Sequence, residues 1–144
     1  MVMVIAALVM GVTARGMRQF TMQQRNERLA RLVMLEVTLA RSYAMRAGSN
    51  IEFVVNETTK QVLVRDSFGE VYRTLELGGK GDVTASKFDI ETPGDSLTFS
   101  SRGLCLNCAA DGSTTISLET PGRSSKMKVY GTGRVELLGY SRTG

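Results

Sequence analysis

Residues 31–55 read RLVMLEVTLARSYAMRAGSNIEFVV, and the change of period inside this stretch decides the fold. Before Gly48, apolar side chains recur every three or four positions. Leu29, Leu32, Val33, Val37, Ala40, Ala44 and Ala47 follow that spacing, which predicts a helix with one apolar stripe. Arg28, Arg31, Arg41 and Arg46 fall mostly elsewhere around it. Gly48-Ser49-Asn50 supplies a helix stop of the usual kind. From Ile51 the period is two, as a half-buried strand requires.

Toward the N-terminus, no Pro or Gly interrupts Met17 to Ala47, and the chain opens on MVMVIAALVMGV, uncharged until Arg15. A helix from Met1 to Ala47 would hold about 47 residues and run roughly 70 Å. That exceeds the diameter of a small domain, so the helix is expected to project from it. Its apolar start is about 12–14 residues, short of the roughly 20 that span a bilayer. No basic region precedes it, which sets it apart from a secretory signal peptide. The true N-terminus is therefore expected upstream of Met1. Val4, Ile5, Leu8, Val9 and Val12 have no apolar partner within the chain, which points to a membrane or to neighbouring subunits.

Toward the C-terminus the chain reads as short strands. IEFVVN (51–56) and QVLVRD (61–66) flank the polar ETTK, a hairpin signal. VYRTLEL (71–77), KFDIET (87–92), SLTFS (96–100), TTISLET (114–120), KMKVYG (126–131) and GRVELLG (133–139) follow, separated by Gly-rich turns. This predicts an antiparallel sheet or sandwich. The fold class is α+β: one long helix, with its amphipathic half covering a sheet face.

Composition narrows the chemistry. The 144 residues suit one domain and include no His, which removes the commonest general base and the commonest zinc ligand. Seven Arg stand against two Glu through Asn50, while the remainder carries 11 basic and 12 acidic residues. The net charge of +4 is thus a property of the helix and not of a basic globular surface. Asp89, Glu91, Asp95 and Asp111 are scattered among turns, without the six to eight oxygens that calcium needs. No catalytic, cofactor or metal site is expected, and the chain is not read as an enzyme.

Several stretches, in order, resemble the GspH/FimT family of minor pseudopilins, within the type IV pilin superfamily. The apolar run followed by Arg15 and Phe20 is similar to the middle and end of a pilin N-terminus. Its Gly–Phe junction and Glu are expected upstream of Met1. Residues 31–55 resemble that family's helix end and first strand, and SLTFSSRG (96–103) its F-x-x-x-G turn. TTISLET and MKVYGTGRVEL (127–137) resemble its closing strands. The resemblance implies residues 1–20 as an apolar membrane or filament-core segment. It implies residues 21–144 as a pilin-like globular domain, with the amphipathic helix half at 21–47 and the β-rich part at 51–140. The implied role is structural: a single-pass inner-membrane subunit of a type II secretion pseudopilus. Its globular domain would be periplasmic and its partners other pseudopilins or pilins. The alternative is a FimT-like minor pilin of a type IV pilus, acting in assembly or DNA uptake.

Two further features carry expectations. Cys105 and Cys108 lie in GLCLNCAADG, and a local disulfide, free thiols, or a redox or metal role are open. A disulfide leads if the domain is periplasmic. Some FimT-like proteins bind DNA through a C-terminal arginine segment, which here implies Arg134 and Arg142. Glu136, two positions after Arg134, opposes phosphate, so nucleic acid is not the favoured partner.

Overall fold

The computed structural model describes residues 2–77, 85, 87–92, 94–108 and 112–142, with side chains from residue 16 on, Gln19 excepted. A single helix, α1 (Val2–Ala47, 46 residues), precedes eight strands. These are β1 (Ile51–Asn56), β2 (Gln61–Asp66), β3 (Val71–Glu76), β4 (Lys87–Ile90), β5 (Ser96–Phe99), β6 (Ser113–Thr120), β7 (Arg123–Tyr130) and β8 (Val135–Ser141). They form two antiparallel sheets, ordered β3-β2-β1-β5 and β4-β6-β7-β8. The pattern is α+β, one long helix on two sheets.

Local chemistry places the element ends. Gly48 takes a φ of 64° and its N–H donates to the Ala44 carbonyl at 3.0 Å, closing the helix in the left-handed cap that favours glycine. At the β1–β2 turn, Asn56 Oδ1 accepts the N–H groups of Thr58 and Thr59, both at 3.1 Å. At the β2–β3 turn the buried Asp66 carboxylate accepts from Phe68 N–H at 2.9 Å and Glu70 N–H at 2.8 Å. Both are Asx-type turns, in which a short polar side chain replaces a ladder partner.

The helix packs against β1 and β5 of one sheet and β7 and β8 of the other. Its buried stripe is Leu29, Ala30, Val33, Val37, Ala40 and Ala44. Ile51, Phe53, Leu97 and Phe99 of the first sheet, and Ile116, Leu118, Met127 and Val129 of the second, complete one continuous core. Leu32 is only half-buried. At 100° per residue it lies about 100° from the centre of the buried stripe, so it marks the stripe's edge. Ala30 takes the inward place that a simple three-four count gives to Leu32. Ala47 is exposed at the helix end.

Two polar residues share the buried stripe. Asn26 Nδ2 donates to Thr120 Oγ1 at 2.6 Å, and Arg73 Nε donates to Glu36 Oε1 at 2.8 Å. Directional contacts of this kind fix the rotation and height of the helix on the sheets, which apolar packing does not do alone.

Candidate functional site

The distinctive feature is the length of helix beyond the sheets. Asn26 is the first buried residue of α1 among those whose side chains are described. Before it, Met17, Phe20 and Met22 are exposed at 74, 63 and 45%. The helix thus runs some 24 residues ahead of Asn26, roughly 36 Å at 1.5 Å per residue, and the described side chains of that stretch, residues 16–18 and 20–25, are all exposed. The only described polar link from this stretch to the strands is Arg123 Nη2 to Gln23 Oε1, at 3.2 Å. No described helix is long and apolar enough to cross a membrane. The side chains of Val4, Ile5, Leu8, Val9 and Val12 lie outside those described.

On the outer face of α1, Leu32 and Leu35 line a shallow groove with Gln24, Glu27, Arg28 and Arg31. Leu35 is 51% exposed. The helix thus carries a second, narrower apolar strip pointing away from its own sheets, edged by charges.

Cys105 and Cys108 are joined by a disulfide, with Cα atoms 5.6 Å apart. The bridge stands in the loop between β5 and β6. Cys105 N–H donates to the Gly131 carbonyl at 2.9 Å, tying this loop to the β7–β8 turn. Beside it, Gly133 (φ 82°) packs against the Gly103 carbonyl and Arg41, leaving no room for a Cβ. Arg41 Nε donates to that same carbonyl at 3.1 Å. Helix, disulfide loop and closing turn thereby meet at one junction, at the end of the domain opposite the projecting helix.

Arg134 and Arg142 are both exposed but differently placed. Arg134 Nη2 lies 3.7 Å from Glu136 Oε2, and its guanidinium carbon 5.7 Å from the Tyr130 ring centre. Lys128 Nζ sits 5.6 Å from the same ring. Tyr130 donates its hydroxyl to Glu136 Oε2 at 2.8 Å. That hydrogen bond, with partial desolvation and the carboxylate's charge, raises the Tyr130 pKa above 10.0, against a smaller opposing pull from Arg134. Glu136 thus offsets one of the cluster's two cations, the one on Arg134. Among the described residues no three His, Cys, Asp or Glu side chains are grouped to hold a metal ion.

Neither a family model nor a curated protein sequence matches the chain. Solved structures do share its architecture. The type IV minor pilin FimU of Pseudomonas aeruginosa superposes with a TM-score of 0.64 at 18% identity, covering 83% of this chain and 92% of that one. A second crystal form of FimU gives 0.57 at 17%, covering 81 and 92%. The minor pseudopilin EpsH of the Vibrio cholerae type 2 secretion system gives 0.54 at 13%, covering 79 and 96%. At these identities the likeness is one of fold: the chain has the type IV pilin fold.

Proposed function

We propose that this chain is a non-enzymatic minor subunit of a pilin-like filament, held first in the inner membrane with its β domain in the periplasm. The observation that carries the reading is the helix that outruns its own core. A 46-residue helix whose buried side chains, among those described, begin only at Asn26, with Gln23 its one described polar link to the strands before that, looks for further partners outside the chain. A filament core of parallel helices supplies them, and the groove at Leu32 and Leu35 offers a second seat for a neighbour. The solved proteins of like fold are a minor pilin and a minor pseudopilin, which supports the same role.

For the machine, the sequence resemblance favours a type II secretion pseudopilus. The second reading is a type IV pilus, and the fold shared with both FimU and EpsH is compatible with either machine. Deleting the gene separates them. Loss of exoprotein release with intact surface motility supports the secretion reading. Loss of surface piliation or DNA uptake, with secretion intact, supports the pilus reading. The filament role itself is tested with a photo-crosslinking residue at Leu35. It should yield an adduct with another pilin-like subunit, identified by mass spectrometry, and an adduct only with soluble periplasmic proteins would count against it.

A further inference from the structure

We infer that the Cys105–Cys108 disulfide is a redox-sensitive clasp that covers the outer edge of β5. β5 lies at the end of its sheet, with β1 on one side only. An edge strand normally offers a row of unpaired N–H and C=O groups to any other strand. Here the loop that follows β5 folds back and takes that row. Ser100 N–H donates to the Leu104 carbonyl at 2.8 Å, and Leu106 N–H to the Thr98 carbonyl at 2.8 Å. The Asn107 carboxamide continues the ladder: Oδ1 accepts Thr98 N–H at 2.7 Å and Nδ2 donates to the Ser96 carbonyl at 2.8 Å. A side-chain amide thus stands in for the next peptide group of a strand.

Asn107 lies inside the ring that the disulfide closes, and both cysteines are partly open to solvent. The ring spans only four residues, so it constrains the unfolded chain modestly. Its loss is therefore felt locally, where the position of Asn107 depends on it, more than globally. Reduction by a dithiol passes two electrons and two protons to the bridge. The S–S bond breaks, Cys105 and Cys108 become thiols, and the dithiol leaves as its own disulfide. The loop then loosens from β5, while Ser96 O keeps a bond from Thr92 Oγ1 at 2.7 Å. What opens is the pairing edge at Thr98.

Amide hydrogen exchange, read by NMR on the full chain in detergent micelles with and without dithiothreitol, tests the clasp. Reduction should speed exchange at Thr98 and Leu106 at least tenfold and leave Phe53 and Val64 unchanged. Unchanged protection at Thr98 in the reduced protein, or a loss of protection throughout the domain, overturns the inference. Asn107→Ala with the disulfide intact provides the second arm. It should free Thr98 while Cys105 N–H stays protected by Gly131. Full protection of Thr98 in that variant would overturn the assignment of Asn107 as the cover.

Discussion

Arg73 of β3 holds Glu36 of α1 at 2.8 Å, and the two partners differ sharply in exposure: the arginine side chain is 46% exposed, the carboxylate 2%. The bond therefore fastens an edge strand to the helix through a charge that has already left water. Glu36 Oε2 has no hydrogen-bond partner of its own, so the arginine is the contact that compensates the burial.

Arg73→Ala should therefore cost about 3 kcal/mol, because it leaves a buried carboxylate unpaired. Arg65→Ala, which breaks the solvent-facing pair with Glu52, should cost under about 1 kcal/mol. Urea midpoints of the two variants give the comparison. Equal losses would mean that Glu36 reaches water in solution.

Packing along the helix makes a second contrast. Leu29→Ala removes a side chain from the core and should cost about 2–3 kcal/mol. Leu32→Ala, at the edge of the stripe, should cost about 1 kcal/mol in the isolated subunit. Thermal melting of both in the same detergent checks this. Equal effects would place Leu32 inside the core.

At the distal junction, Gly133→Ala should be worse than Gly122→Ala. Both glycines have positive φ, 82° and 79°, and an alanine there costs about 1 kcal/mol or more from backbone strain alone. Gly122 has open space beside it, whereas at Gly133 the new Cβ meets the Gly103 carbonyl. A Gly133→Ala variant that melts with Gly122→Ala would show that the loop yields.

The arginine cluster makes a prediction about DNA. With Arg134 beside Glu136, duplex binding at physiological salt should be weak. Glu136→Arg should strengthen it and steepen its salt dependence by about one phosphate contact. Fluorescence anisotropy across a salt series reads both quantities. Tight binding by the unaltered chain, lost in Arg134→Ala, would favour the DNA-uptake reading.

Much of the fold was legible because it is locally encoded. The period change at Gly48 ends the helix, and the ETTK turn with Asn56 before it makes the first hairpin; both are written in adjacent residues. The partition into two sheets was not. β5 leaves the neighbourhood of β4 and β6 to pair with β1, a long-range choice that no turn residue announces. The edge cover by Asn107 was hidden for the same reason: its partners are 9 and 11 residues away, and Asn in a loop ordinarily reads as a turn former. Nothing adjacent to Glu36 in the sequence marks it as buried. Its burial depends on Arg73, 37 positions later, reaching from β3 to the helix.

The proposed filament role divides α1 in two: its first part serves assembly and the part from Asn26 on serves folding. Ala6→Asp and Leu29→Ala, made separately in the full chain, test it most directly when domain melting and recovery in the membrane or filament fraction are measured on both. A charge at bilayer depth is penalised by about 2.5–3.5 kcal/mol on insertion scales. Ala6→Asp should keep the melting temperature of the unaltered chain and disappear from the membrane and filament fractions. Leu29→Ala should melt lower and still be recovered there below its melting point. If Ala6→Asp lowers the melting temperature as far as Leu29→Ala does, the first segment belongs to the domain core, and the account of a projecting filament helix is contradicted.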